Sequence, residues 1–101
     1  QPLPSNIRLL PNFPNPFNPE TWIPFQLSTE SAVTVSIYNA AAQRIRTLDI
    51  GYLPAGTYTS RPKAAYWDGS NAMGERVSSG VYFYRIEAGS FSEMRRMVIL
   101  K

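Results

Sequence analysis

A two-residue alternation of apolar and polar side chains, interrupted by glycine-bearing turns, limits what this chain can fold into. In residues 81–88 the set Tyr82, Tyr84, Ile86 and Ala88 alternates with Val81, Phe83, Arg85 and Glu87. Successive side chains point to opposite faces only in a strand, whereas a helix repeats every 3.6 residues. The pattern therefore predicts a long strand here. No segment carries a helical apolar period long enough to predict a helix.

A cluster of turn residues precedes this strand. Its members are Trp67, Asp68, Gly69, Asn71, Gly74 and Gly80. Glycine has no Cβ and so accepts the positive φ of tight turns, while Asp and Asn side chains accept hydrogen bonds from nearby backbone amides. Residues 67–84 are thus predicted to form a strand, a turn, a short strand, a second turn and the long aromatic strand.

Shorter alternating runs fill the rest of the chain. Val33, Val35 and Ile37 alternate with polar residues, and residues 23–27 predict a strand whose Pro24 belongs at an edge or a bulge because proline cannot donate to a ladder. A strand at 44–50 is expected to have either a bulge or a two-sided environment, and 61–65 to form a loop or an outward bulge. About seven short strands with turns roughly every ten residues predict an all-β antiparallel sandwich.

Length predicts one domain. The chain has 101 residues, which suits a single core. We assign residues 1–10 to a linker with a possible first short strand, and 11–101 to the sandwich. In the proline-rich stretch 11–19, Phe13 and Phe17 are expected to lie on the core. The alternative is a ligand for a proline-binding domain.

The residue inventory argues against catalysis. The chain has no histidine and no cysteine, which removes the usual zinc ligands and the usual bases for a nucleophile. Asp68, Asn71 and Glu75 form the one group of oxygen ligands near a glycine turn. They are too few for calcium, which takes about six to eight oxygens, and are predicted to serve the turn instead. We predict no enzyme, no catalytic residue, no metal site and no cofactor.

Charge and hydropathy predict a solvated surface. Ten Lys and Arg against seven Asp and Glu give +3, and the positive residues are dispersed. No nucleic-acid partner is expected, because the sequence order shows no basic and aromatic patch. No apolar run approaches the ~20 residues of a membrane span, so membrane insertion is not expected. The proline-rich start is typical of a piece from the end of a longer chain.

The end of the chain allows two interpretations. Met97, Val98, Ile99 and Leu100 are apolar on both faces of a strand. Such a strand is either buried in the core or offers one face and an edge to a partner. The first alternative makes it a core strand, and the second makes it a recognised C-terminal tag.

Several motifs together resemble a known family. They are Pro-Asn-Pro-Phe-Asn-Pro-Glu-Thr at 14–21, Val-Ser-Ile-Tyr-Asn at 35–39, Ala-Gly-Thr-Tyr at 55–58, Trp-Asp-Gly at 67–69, Ser-Gly-Val-Tyr-Phe-Tyr at 79–84 and the ending at 95–101. Over residues 11–101 the chain resembles the type IX (Por-type) C-terminal sorting domain. The core from Trp-Asp-Gly onward is similar to the Ig-like domain of the flagellar hook-capping protein. Two departures are Ala42, where the family usually has glycine, and an apparent insertion at 61–65.

The resemblance implies an Ig-like sandwich and a role. Such domains end secreted bacterial proteins and are recognised by outer-membrane secretion machinery or a cell-surface component. The recognition residues would be Arg95, Arg96, Met97, Val98, Ile99, Leu100 and Lys101, with Arg95 and Arg96 exposed. The expected location is secreted or cell-surface, reached through the periplasm, with upstream domains of the parent chain as neighbours. The alternative is a structural Ig-like spacer.

Overall fold

The computed structural model describes residues 4–17 and 19–100, and these form an all-β, Ig-like sandwich. The strands are β1 (Arg8–Leu9), β2 (Thr21–Ile23), β3 (Phe25–Leu27), β4 (Ser31–Tyr38), β5 (Arg44–Leu53), β6 (Gly56–Tyr58), β7 (Ala65–Trp67), β8 (Gly80–Ala88) and β9 (Phe91–Ile99). Within the described part of the chain, nothing folds into a helix of the length and apolarity that a membrane crossing requires.

The first layer is a four-stranded antiparallel sheet with the order β5-β4-β8-β9. Its register pairs Val35 with Ile86 and Tyr82 with Met97, and these side chains are buried. Because side chains alternate along a strand, the residues between them point to the outer face. The predicted alternation in β4 and β8 is therefore present, and the face of β8 that carries Tyr82, Tyr84, Ile86 and Ala88 is the inward one.

The second layer consists of β1 and of two longer strands that are each interrupted once. β2 and β3 are separated only by Pro24; β3 pairs with β1 and β6, and β2 pairs with β7. Counting β2 with β3 and β6 with β7 as single interrupted strands reduces nine segments to seven, as the sequence predicts. Pro24 lies at a break in a central strand, not at an edge. Since it has no N–H, the break is where the ladder tolerates it.

The segment before β2 changes from one layer to the other. The Leu10 amide donates to the Pro24 carbonyl at 3.1 Å, and Phe13 bridges to Trp22 in the second layer. Phe17 then bridges in parallel to Ile99 in the first layer. The peptide bonds before Pro14 and Pro16 are both cis within this crossover. One segment thus closes the same side of both sheets.

The core lies between the layers. Its buried apolar side chains are Leu9, Phe17, Ile23, Phe25, Leu27, Val33, Val35, Ile37, Leu48, Ala65, Trp67, Tyr82, Tyr84, Ile86, Ala88, Met97 and Ile99. Phe17 lies in the core as predicted. The prediction for Phe13 is wrong, because its ring stacks beside Trp22 on the outer face of the second layer, with centroids 6.2 Å apart.

Two irregularities agree with the sequence and two boundaries do not. The pairing of β4 with β5 shifts register at two places, between Val33 and Thr34 and between Ile37 and Tyr38, which gives the bulged strand, one of the two predicted alternatives. However, β5 continues to Leu53 instead of ending at residue 50. Residues 61–64 of the predicted loop lie between β6 and β7, but Ala65 is buried and begins β7, so the loop ends one residue earlier than predicted.

Ala42 adopts a glycine-like conformation in the turn from β4 to β5. Its φ is +64°, the one positive value among non-glycine residues in the described ranges. The turn is fixed around it, since the Ala42 amide donates to the Asn39 carbonyl at 3.0 Å. An L-residue in this left-handed region costs roughly 1–2 kcal/mol, because its Cβ crowds the backbone.

Replacing Ala42 by Gly is expected to stabilise the domain. Relief of the left-handed strain exceeds the added entropy of the unfolded chain, so we expect a gain of up to about 1 kcal/mol in the free energy of unfolding. Urea unfolding measures this. Ala41→Gly is the matched control, because Ala41 lies in the same turn without a positive φ and should lose about 0.5 kcal/mol. Equal effects of the two changes would contradict the explanation.

Candidate functional site: the last strand and its surroundings

The last strand divides the predicted recognition residues between its two faces. Met97 is 0% exposed and Ile99 is 2% exposed, so both belong to the core. On the opposite face Arg96 is exposed, Val98 is partly buried and Leu100 is 59% exposed. Lys101 lies outside the described residues. A partner can therefore touch only the outward set without unfolding the strand.

Arg95 differs from its neighbour Arg96. The expectation that both are exposed holds for Arg96 only, because Arg95 shares the inward face of β9 with Met97 and is partly buried. Its Nη1 atom lies 3.9 Å from Glu93 Oε2. Glu93 in turn accepts a hydrogen bond from the Leu9 amide at 3.0 Å through Oε1. These two charged residues close the gap between the layers.

The end of β9 is held by the crossover segment. Val98 donates its amide to Asn15 Oδ1 at 3.1 Å, and its carbonyl accepts from the Phe17 amide at 3.1 Å. The Leu100 amide donates to the Phe17 carbonyl at 3.1 Å. Because Asn15 and Phe17 pair with this stretch, the apolar ending is not a loose tail. Its backbone edge is occupied and its outward side chains remain accessible.

Tyr84 ties the same crossover segment to β8. Its hydroxyl accepts from the Asn12 amide at 2.9 Å and donates to the Leu10 carbonyl at 2.8 Å. Burial raises the pKa of Tyr84 above its usual value, while the Asn12 amide opposes that shift. The phenol therefore stays neutral and supplies both a donor and an acceptor to backbone groups that turn away from the sheets.

Replacing Tyr84 by Phe is expected to destabilise the domain. The change leaves the Asn12 amide and the Leu10 carbonyl without their partner, which costs about 1–3 kcal/mol when the groups are buried. Tyr58→Phe is the matched control, since its exposed hydroxyl makes one bond to the Pro54 carbonyl and should cost less than about 1 kcal/mol. Chemical denaturation compares the two. A loss for Tyr84→Phe no larger than for the control would contradict this role.

The turn motif of residues 67–80 supports the core at Trp67. This side chain is fully buried and meets Phe17 and Tyr82 edge-on, with ring centroids 5.8 and 6.0 Å away. Its Nε1 donates to the Ser70 carbonyl at 2.8 Å. Tyr82 donates its hydroxyl to the Ser78 carbonyl at 2.8 Å, four residues upstream. This is the tyrosine corner found in Ig-like sandwiches.

Asp68 organises the first turn of this motif. Its Oδ1 accepts from the Ser70 amide at 3.0 Å and from the Ser70 hydroxyl at 2.6 Å, and Arg46 Nη1 lies 3.4 Å away. The Ser70 hydroxyl, followed by its amide and Arg46, holds the pKa of Asp68 below its usual value against the effect of burial. Gly69 follows with a φ of +82°, and a Cβ there would lie under 3.0 Å from the Pro19 carbonyl oxygen.

The remaining predicted ligands serve the second turn. Asn71 Oδ1 accepts from the Met73 and Glu75 amides at 2.9 and 3.0 Å, and Asn71 Nδ2 donates to Glu75 Oε1 at 3.1 Å. Gly74 lies in this turn with a φ of +81°. No three acidic, histidine or cysteine side chains of residues 4–17 and 19–100 come together to hold a metal. The Asp68 and Asn71 oxygens accept from backbone amides of their turns, and the Glu75 oxygen accepts from the Asn71 side-chain amide.

Asp68→Asn is expected to lower stability in a pH-dependent way. A carboxyl whose pKa is depressed on folding contributes stability above its ordinary value of 3.8 and loses it as the pH falls through the folded value. Because the Asp68 side chain is 50% exposed and solvent screens its charge, we expect a loss of less than about 1 kcal/mol at pH 7, which shrinks at about pH 2.5. Urea unfolding at both pH values measures it. Asp49→Asn, on an exposed strand position, is the control. A loss that does not change with pH would contradict the assignment.

The outer face of the first layer carries a row that sequence order does not reveal. The register places Arg44 opposite Tyr38, Tyr38 opposite Phe83, and Phe83 opposite Arg96. Directly opposed residues lie on the same face of a sheet. The alternation of each strand is visible in the sequence, but the register that aligns the strands is not. Of the four residues in this row, only Arg96 is therefore among those predicted to take part in recognition.

Two open cavities lie near this sheet. One of about 320 Å³ lies between the loops at 39–41 and 78–82. The other, of about 400 Å³, lies along β5 and is lined by Arg44, Ile45, Arg46, Thr47 and Ala72. No carboxylate lines either cavity. The residues that line these two cavities do not include the pair of acid and base, or of nucleophile and base, that a catalytic site needs.

Comparison with known proteins places the chain among Ig-like domains. The profile of the FlgD Ig-like domain matches residues 20–91. No curated protein matches the sequence. Two solved structures from Porphyromonas gingivalis are similar in fold. Dimeric latent PorU gives a TM-score of 0.69 at 17% identity, with 93% of this chain and 9% of that chain covered.

The second structure is PorZ, described as an essential bacterial surface component of the type IX secretion system. It gives a TM-score of 0.59 at 19% identity, with 92% of this chain and 11% of that chain covered. The chain thus spans about a tenth of the length of each structure. At these identities the similarity establishes the fold.

Proposed function

The chain belongs to the family of FlgD Ig-like domains, and on that premise we propose that it is a non-catalytic module of a larger secreted bacterial protein. It directs secretion or cell-surface anchoring through recognition of its folded sandwich and last strand. The observation that carries the proposal is the similarity over more than nine-tenths of this chain to about a tenth of PorU and of PorZ. A module of this shape occurs within large proteins, one of them a type IX surface component.

The last strand supplies a surface suited to this role. Arg96, Val98 and Leu100 point away from the core, and Leu100 is 59% exposed. The partner is outer-membrane secretion machinery or a cell-surface component, and the upstream domains of the parent chain are carried along. The proposed location is outside the cell or on its surface, reached through the periplasm.

A non-catalytic role is consistent with the residue inventory. The sequence contains neither histidine nor cysteine. Two acidic side chains near the glycine turns, Asp68 and Glu75, are each hydrogen-bonded within their own turn. A protein module without a reactive centre acts by being bound, so its function depends on its shape and surface.

A structural spacer is the second candidate, and burial of the last strand favours it. Met97 and Ile99 fill the core, and Phe17 pairs with the strand end. These are the features of an ordinary core strand. A spacer would need only its folded sandwich and its connections to neighbouring domains, and its last strand would carry no sorting signal.

Export of a reporter tests the proposal. We expect residues 1–101, fused behind a reporter in a host with type IX machinery, to be exported, and a chain ending at Ile99 to be retained. This truncation keeps Met97 and Ile99, whereas deleting residues 97–101 would empty part of the core and confound folding. The measurement is the fraction of reporter in the medium or on the cell surface.

The controls separate folding from recognition. Thermal melting of each purified fusion confirms that the domain is folded, and the reporter alone gives the background. A flexible extension after Lys101 should prevent export if the machinery binds the end of the chain. The extension should not change the folding of a domain that serves only as a spacer. Full export of both the truncated and the extended fusion would contradict recognition at the end of the last strand, and no export of the intact fusion would contradict the sorting role.

A further inference from the structure

The row formed by Arg44, Tyr38, Phe83 and Arg96 lies on the face of the first layer that points away from the second layer. The second layer packs against the opposite face of this sheet, where Ile37, Tyr84 and Met97 are buried. Within residues 4–17 and 19–100, neither the Tyr38 ring nor the Phe83 ring stacks on another ring or lies beneath a cation. Both side chains are partly buried and partly exposed, so the exposed part of each ring is available to a ligand.

Exposed apolar side chains extend this row along the β8–β9 hairpin. Val81 pairs with Val98 on one side of the row, and Met94 pairs with Arg85 on the other. Val81 is 39% exposed, Met94 50% and Leu100 59%. These three are half of the six large apolar side chains with such exposure in the described chain. Contiguous exposed apolar surface of this kind marks interaction sites.

The outer face of the second layer provides a contrast. There Phe13, Trp22 and Tyr66 also form a row, but the rings contact one another at centroid distances of 6.2 and 5.4 Å. The Arg61 guanidinium lies 4.4 Å from the Trp22 ring centre, and Tyr66 donates to Glu20 Oε1 at 2.7 Å. The polar and aromatic groups of that face already satisfy each other. The first face has no equivalent arrangement.

The charges on the first face determine the partner's chemistry. Arg44 and Arg96 flank the aromatic row, and Arg85 lies in the next row with Glu87 at 3.9 Å. The other acidic residue of the face, Asp49, pairs with Thr34 farther along the strands. The Tyr38 end is therefore positive and the far end is acidic. A partner with carboxylates at the Tyr38 end complements it.

The composition of the patch favours a protein as the partner. Tyr, Phe, Met and Arg are enriched at protein interfaces, where Lys is depleted, and the patch contains three arginines and no lysine among its residues. We infer that the outer face of the β8–β9 hairpin with Tyr38 and Arg44, here called the arginine face, docks a protein surface with an apolar centre and carboxylates at its rim. This inference rests on the proposed function, and the partner is then the secretion or surface component.

Charge reversal on the two outer faces tests the inference. With residues 1–101 fused to a reporter in the type IX host, we expect Arg96→Glu and Arg44→Glu each to lower export by about tenfold, since reversed rim charges repel the partner's carboxylates. Arg61→Glu makes the same charge change on the other face and should keep export within about twofold of the unmodified fusion. Melting of the purified domains verifies folding.

A neutral variant keeps the test decisive if a reversed charge unfolds the domain. Met94→Ser removes an apolar side chain that is 50% exposed, and export should fall several-fold while the melting temperature changes little. If folded Arg96→Glu is exported at the level of Arg61→Glu, the inference about the arginine face is overturned and the proposed function is not. If Arg96→Glu unfolds, export of Met94→Ser at that level has the same consequence. No export of the unmodified fusion would overturn the proposed function and this inference together.

Discussion

The parallel contact between Phe17 and the last strand is the interaction on which the rest of the structure depends. It gives β9 a neighbour on what would otherwise be an open edge, and it delivers the Phe17 ring into the core beside Trp67. An exposed edge strand ending in apolar residues is a template for unwanted pairing. Covering its end with a segment from the beginning of the chain removes that hazard and leaves the outward side chains free.

The same contact explains why the turn motif and the crossover segment belong together. Trp67 contacts Phe17 on one side and Tyr82 on the other, so the ring links the crossover segment, β7 and β8. Its indole nitrogen and Arg46 both donate to the Ser70 carbonyl, at 2.8 and 3.1 Å. The Asp68 turn therefore fixes the position of Trp67, and Trp67 in turn fixes the position of the Phe17 ring in the core. Local turn chemistry thereby supports contacts between distant parts of the chain.

Local patterns predict the faces of the strands, and they fail where two distant segments must be aligned. The alternation in β4 and β8 correctly groups the residues that share a face, such as Val33 with Val35 and Tyr84 with Ile86, because the two-residue period of a strand is a local property. Register is not local, since it depends on bulges such as the two in the β4–β5 pairing. The alignment of Tyr38 with Phe83 depends on how the distant strands β4 and β8 pair, and the alternation within each strand does not predict it.

The errors at Phe13 and Arg95 have the same origin. Phe13 was expected in the core because it resembles Phe17 in spacing and surroundings, but the layer change occurs between them and points their rings to different sides. Arg95 was expected to be exposed together with Arg96, but strand parity turns it toward Glu93, and its side chain is only 38% exposed. In both cases an average preference of the residue type was overruled by the direction of the backbone at one position.

Parity also decides how a single strand can serve both stability and recognition. Along β9 the inward residues Met97 and Ile99 are part of the core, so a partner that contacted them would have to unfold the domain. A partner can contact the outward residues Arg96 and Leu100 without unfolding the domain. A binding surface that shares its strand with the core is held rigid by the packing behind it, so little conformational entropy is lost on docking. A sandwich with no reactive centre can therefore present a defined surface from its terminal strand, provided that the other face of that strand remains buried.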